Sequence, residues 1–144
     1  MAYEFRMKSL VHFSDTDMAG IMHFSRYFIY MEKAEHEFFR SLKLKLHENK
    51  IDEMYGWPRV DAKCNYIAPL NYDDEMEIHL EVINKGEKSL TYKFTFSKLT
   101  PEGSVVTAVG SLKTVFVTKN LSENIFMSCV MPAEINNKIE QSPT

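Results

Sequence analysis

FSDTDMAGIMHFSRYFIYMEKAEHEFFRSL, residues 13–42, is where the chain changes its period. Upstream of it, Tyr3, Phe5, Met7, Val11 and Phe13 alternate with Glu4, Arg6, Lys8 and His12. A two-residue period means a strand with one buried face. Ser14 to Gly20 breaks that period and reads as a loop. From Phe24 onward Phe24, Phe28, Met31, Ala34, Phe38 and Leu42 fall at helical spacing, and Tyr27, Tyr30 and Phe39 widen the apolar surface. Glu32, Lys33, Glu35, Glu37 and Arg40 supply the polar side. The spacing predicts a helix of about five turns. Its first half is apolar over much of its girth, as expected of a helix enclosed by other structure. Ser25 is expected at the N-cap, its hydroxyl accepting an N–H of the first turn.

Downstream, residues 43–58 are polar and mixed, and Gly56-Trp57-Pro58 punctuates them. The chain then reads as strand after strand. Val60, Ala62, Cys64 and Tyr66 alternate, as do Met76, Ile78, Leu80 and Val82, and again Leu90, Tyr92, Phe94 and Phe96. Val105 to Thr118 is nearly apolar on both faces and predicts a central strand. The breaks at Pro69–Asp74, Asn84–Gly86 and Pro101–Gly103 are short, which favours antiparallel neighbours. From Lys119 the chain looks loop-like until Pro132, which suits the first turn of a short terminal helix. One strand, one long helix, then four strands is an α+β layer architecture. Residues 1–144 show no linker or repeat and are expected to form a single domain.

Asp15 and Asp17 occupy the loop between the first strand and the helix, and Gly20 allows a sharp turn there. The helix start follows within a few residues and offers unpaired N–H groups and a positive dipole end. A carboxylate beside such donors suits thioester hydrolysis. It attacks the carbonyl or activates water, while the helix N–H groups hold the developing oxyanion. Two aspartates capping a turn or a helix remain an alternative on spacing alone. A calcium loop fits poorly, because Ala19 and Arg26 stand where oxygen ligands belong. A phosphatase-type Asp-x-Asp belongs on a parallel α/β sheet. There is no Gly-x-Ser-x-Gly elbow, P-loop or dinucleotide fingerprint.

The stretch from Phe13 to Leu42, with Asp15-Thr16-Asp17-Met18-Ala19-Gly20-Ile21 and Tyr27, resembles the signature of the 4-hydroxybenzoyl-CoA thioesterase family of hotdog proteins. Trp57-Pro58-Arg59-Val60, Tyr66-x-x-Pro69 and Lys88-Ser89-Leu90 are weaker matches. The resemblance spans about residues 3–118. It implies a hotdog fold, one long central helix wrapped by a five-stranded antiparallel sheet. It implies hydrolysis of an acyl- or aryl-CoA, with Asp17 as nucleophile or general base, Asp15 orienting the loop and the backbone N–H of Phe24 as oxyanion donor. Tyr27 is expected to face the acyl group, and Trp57 either to wall its pocket or to serve as a buried anchor. Some relatives carry a histidine seven residues after the catalytic aspartate. Here Phe24 holds that place and His23 precedes it, so His23 is expected to touch substrate. Lys85 and Lys88 match the family's nucleotide-binding edge. The family's site lies between subunits, which implies a homodimer or homotetramer. No cofactor and no metal is implied.

Bulk properties narrow the alternatives. The chain has a net charge of −3 and a pI of about 6.0, which argues against broad binding to nucleic acid or to anionic membranes. Cys64 and Cys129 form no C-x-x-C. No signal peptide or membrane-length apolar run is evident, and a cytoplasmic protein is expected. Glu32 and Glu35 read as solvated or interface carboxylates. His12, His36, His47 and His79 give no metal-ligand spacing. Hydrolysis of an acyl-carrier-protein thioester, dehydration through His23 and non-catalytic acyl-CoA binding are the competing functions.

Overall fold

The alternating apolar runs become the inward faces of strands. The computed structural model describes residues 1–49 and 53–143. In chain order it contains β1 (Glu4–Leu10), a 3-10 turn (Phe13–Asp15), α1 (Arg26–Ser41), β2 (Glu48–Asn49), β3 (Glu53–Gly56) and β4 (Arg59–Tyr66). There follow β5 (Glu75–Lys85), β6 (Ser89–Thr100), β7 (Gly103–Val115), β8 (Val117–Asn120), β9 (Ile125–Ser128) and α2 (Ala133–Asn136). Five strands form one sheet in the order β1-β5-β6-β7-β4, with every neighbouring pair antiparallel. The long helix α1 lies against β1, β5 and β7. This is the hotdog arrangement that the resemblance implies.

Met76, Ile78, Leu80 and Val82 of β5 and Leu90, Tyr92, Phe94 and Phe96 of β6 are completely buried. On α1, Tyr27, Tyr30, Met31, Ala34, Phe38 and Phe39 join the same core. Taking one large apolar side chain fully out of water stabilises by about 1.5–3 kcal/mol, so this layer is the main favourable term. Gly110 of β7 lets helix and sheet approach closely: a Cβ there would stand 2.0 Å from Met31 Cε. A small residue is needed wherever another element comes this near a strand.

Several expectations are corrected. The helix begins at Arg26 with Ser25 at the N-cap position, as expected, but the Ser25 hydroxyl caps no N–H of the first turn; it meets His23 Nδ1 at 2.8 Å instead. The stretch Val105–Thr118 is not one central strand, and β6 holds the middle of the sheet. The chain leaves the sheet at Phe116. That residue packs on Tyr55 and Trp57, donates its N–H to Lys88 O and accepts from Cys129 N–H. These contacts pull Val117 into a second antiparallel sheet, β2-β3-β8-β9. The stretch after Lys119, expected as loop, thus contains the end of β8 and all of β9, and the polar segment 43–58 contains β2 and β3. Residues 50–52 of that segment lie outside the described residues. The short terminal helix after Pro132 is present as α2.

Glu35 is the largest departure. It was expected at solvent or at an interface, but it is wholly buried. Arg59 reaches it through both terminal nitrogens, with Nη2 2.5 Å from Oε1 and Nη1 3.2 Å from Oε2. A β-bulge makes this possible. Arg59 pairs with Thr114 and Asp61 with Lys113, leaving Val60 extra. Regular alternation from Ala62 would turn Arg59 outward; the additional residue turns it inward, beside buried Thr114. Burial raises the Glu35 pKa, and Arg59 opposes that rise. The Tyr92 hydroxyl beside them is pushed well above its ordinary value by burial and then by Glu35.

Replacing Arg59 with Met leaves a buried carboxyl without its cation. A loss of about 3 kcal/mol at neutral pH is expected, the low end for breaking a buried pair because Arg59 is partly exposed. An acid whose folded pKa is raised contributes stability below its unfolded value and loses it as pH rises through the folded value. The deficit of Arg59→Met against the parent therefore shrinks as pH falls from 8 toward 5. Denaturant midpoints at fixed protein concentration read this; a pH-independent deficit contradicts it.

Candidate active site

The loop between β1 and α1 is held by its two aspartates in different ways. Asp15 is buried. Its Oδ2 accepts from the His12 N–H at 3.0 Å and from the Tyr30 hydroxyl at 2.5 Å, and Arg26 Nε stands 4.0 Å from Oδ1. Burial and then the Asp15 contact push the Tyr30 pKa up to about 12, so this phenol stays protonated and donates. The backbone closes the same join, with His23 N–H donating to Asp15 O at 2.8 Å. Asp15 thus ties the loop to the helix, as expected of a residue that orients it.

Asp17 is half-buried. Its Oδ1 accepts from Ala19 N–H at 2.8 Å and from Ile21 N–H at 3.4 Å. Gly20 sits at φ +82°, a conformation nearly free of cost only for glycine. The turn is stitched across by Asp17 N–H to Ile21 O and by Gly20 N–H to Asp17 O. Met22 N–H donates to Leu70 O at 2.7 Å, which anchors the loop on the segment entering β5. Both recorded bonds on the carboxylate fall on Oδ1, and none of the described residues engages Oδ2.

Asp17 lines a cavity of about 390 Å³. Ile21, Met22, Phe24 and Tyr27 form one wall, and Tyr66, Ile67, Ala68 and Pro69 form the other. Among the described residues the Phe24 N–H has no acceptor. It stands just before the first turn of α1, where the helix dipole favours negative charge. Tyr66 donates its hydroxyl to Phe24 O at 2.8 Å, fixing that residue from the far side of the cavity. Tyr27 is buried edge-on to Tyr66 and Phe96, 5.1 Å from each ring. Burial, then Cys64 and Tyr66, push the Tyr27 pKa up to about 12, so it offers a neutral wall. A carboxylate oxygen and an unpaired N–H around one mostly apolar cavity can grip an electrophilic carbonyl and attack it.

Asp17, Phe24 and Tyr27 are therefore brought together, and the remaining candidates are not, within one chain. His23 stacks on the Phe24 ring at 4.5 Å and is absent from the cavity wall. Trp57 lies before the other end of β4, buried against Phe39 and Phe116. Lys85 spends its ammonium on the carbonyls of Asn136 and Ile139. Lys88 is exposed in the β5–β6 turn. Tyr66 is the residue that sequence reasoning overlooked. Its place at the end of the alternating run Val60–Tyr66 puts it on the helix side, and that was the available signal. Among the described residues no three His, Cys, Asp or Glu side chains converge as a metal set, and no helix is long and apolar enough to cross a membrane.

Known proteins resemble this chain in sequence and in fold. A protein of Aquifex aeolicus (strain VF5) that carries an esterase name is 34% identical over 106 residues, covering 72% of this chain and 77% of its own. The 4-hydroxybenzoyl-CoA thioesterase of Pseudomonas sp. (strain CBS-3) is 27% identical over 107 residues, covering 73% of this chain and 76% of its own. The solved structure of a gentisyl-coenzyme A thioesterase superposes with a TM-score of 0.73 at 27% identity, covering 92% of this chain and 99% of that one. The model of the thioesterase-like superfamily matches residues 11–139, nearly the whole chain, and the protein belongs to that superfamily.

Proposed function

We propose that the protein hydrolyses an acyl- or aryl-CoA thioester in the cytoplasm, with Asp17 as its catalytic carboxylate. The observation that carries this is the pairing of Asp17 with the unpartnered N–H of Phe24 across one cavity. The names of the relatives, which act on 4-hydroxybenzoyl-CoA and gentisyl-CoA, support the substrate class. The carbonyl oxygen meets the Phe24 N–H. Asp17 then attacks the carbonyl carbon or takes a proton from the water that does so. The C–S bond breaks, CoA leaves as thiolate and is protonated, and one water is consumed in releasing the free acid. A preorganised donor at the helix entrance stabilises the oxyanion without reorganising. Lys88 is the cation we assign to the CoA phosphates, since Lys85 is already held by carbonyls of the C-terminal segment.

The working form is a symmetric oligomer built on β4. This strand ends the sheet and is exposed along almost its whole length. A long unprotected edge is a template for pairing. Val60 and Tyr66 within it and Ile67 just after it are 57%, 47% and 62% exposed, apolar surface that a second copy would cover.

Asp17→Asn keeps a carbonyl oxygen for the Ala19 and Ile21 N–H groups, so the loop should hold its shape. Thiol release from a panel of CoA esters is expected to slow by about 10²–10⁴-fold, the usual worth of a positioned acid or base, with an unchanged melting temperature. Parent enzyme inactive across the panel, or a variant within about threefold of it, removes the assignment. Carrier-protein thioesters cleaved far faster than matched CoA esters would move the substrate class. Ala62→Asp puts like charges near the two-fold axis of a β4–β4 pair. Light scattering should then give the mass of one protomer and activity should vanish; an unchanged mass rules out this edge as the interface.

A further inference from the structure

A second cavity, of about 470 Å³, lies beside the small sheet, walled by His47, Met54, Tyr55, Pro58, Val117 and Phe126. The wall is almost entirely carbon, and the Tyr55 hydroxyl already donates to Glu48 at 2.8 Å. The cavity shares His47 and Gly56 with a cleft that touches Glu32, Glu35 and His36 of α1. It therefore adjoins the helix side of the main sheet, the side that also holds the cavity at Asp17. No residue lines both cavities. One sits where the chain enters β4, at Gly56 and Pro58; the other sits where the chain leaves it, at Tyr66 to Pro69. Residues 59–65 of the strand lie between Pro58 and Tyr66, a span of roughly 25 Å at about 3.3 Å per residue. Within one chain the two cavities are separate.

Pairing two β4 edges about a two-fold axis changes this. Antiparallel partners run in opposite directions, so the Arg59 end of one copy falls beside the Tyr66 end of the other, about 4.8 Å away. The apolar cavity of each copy then adjoins the Asp17 cavity of its neighbour, on the same face of the joined sheets. We infer that the apolar cavity of one copy receives the tail of the acyl group whose thioester carbonyl is held at Asp17 of the second copy. The substrate is then a CoA ester of an uncharged, mostly hydrocarbon acyl group that extends well beyond a single hydroxylated ring. A ring hydroxyl buried against the carbon of this wall would lose its water, with His47 alone among the lining side chains to meet it, since the Tyr55 hydroxyl is already taken. This inference rests on the thioesterase reading and on the β4 pairing, and it adds the acyl class and the residues that select it.

The experiment compares kcat/KM for butanoyl-, decanoyl- and 4-hydroxybenzoyl-CoA. Each methylene removed from water is worth roughly fourfold, so decanoyl-CoA should exceed butanoyl-CoA by two orders of magnitude or more. Phe126→Asp changes a side chain that is 60% exposed, so folding should survive, and the decanoyl-to-butanoyl ratio should fall about tenfold or more. Met54→Trp, which fills the cavity, should lower the same ratio. Co-expression of Asp17→Asn with Phe126→Asp separates the two copies' contributions. A mixed dimer has one site with an intact Asp17 facing an intact cavity, so decanoyl-CoA hydrolysis should return to about a quarter of the parent level. No recovery, with both parental dimers formed, means that each cavity serves its own chain and overturns the inference. Preference for 4-hydroxybenzoyl-CoA overturns it as well, and either result leaves the thioesterase reading standing. Absence of hydrolysis on all three esters sinks that reading instead.

Discussion

A carboxylate out of reach of water must be satisfied by the protein, and Asp15 meets that demand at the one place where β1 hands over to α1. The His12 N–H and the Tyr30 hydroxyl supply it, and the backbone closes behind it through His23. Leaving such a group without its donors would cost about 1–3 kcal/mol, more if it stayed charged. The loop therefore has a single low-energy path. That path delivers Asp17 and the Phe24 N–H to the same cavity, although they stand seven positions apart in sequence. The tight turn at Gly20 and the anchor at Leu70 only make sense once Asp15 has been sunk.

Three acids in this chain show how environment assigns different work to one functional group. Asp15 is buried among hydrogen-bond donors and holds structure. Glu35 is buried against a guanidinium, and desolvation still raises its pKa. Asp17 is half-buried, with backbone donors on one oxygen only. Asp17 is the one of the three that lines the cavity beside the unpartnered Phe24 N–H. The geometry thus separates the carboxylate available for chemistry from the two consumed by folding.

Much of this was legible in the residues. The change from a two-residue to a helical period marked β1, the loop and α1. The alternating runs marked β4, β5 and β6, and the Asp-x-Asp-x-x-Gly loop marked Asp17. What escaped depends on distant partners. Glu35 looked like any solvated glutamate, because Arg59 is 24 residues away and is aimed inward by a bulge that alternation does not reveal. The small sheet was missed because its strands are two to four residues long. Their apolar side chains follow no period that a window can detect. Ser25 carried the expected cap chemistry, but its hydroxyl met the neighbouring imidazole instead. Tyr66 was visible as the last member of an apolar run, yet its bond to Phe24 O joins residues 42 positions apart.

The strands around the apolar cavity form their own hydrogen-bonded ladder, apart from the five that embrace α1. Phe116 and the Trp57-Pro58 step are the joints between the two. Drift in Met54, Val117 or Phe126 can thus reshape what the enzyme accepts without loosening the aspartate loop. Diversification of diet and preservation of chemistry become separable problems for natural selection, and a lineage built on this plan can explore new esters one short strand at a time.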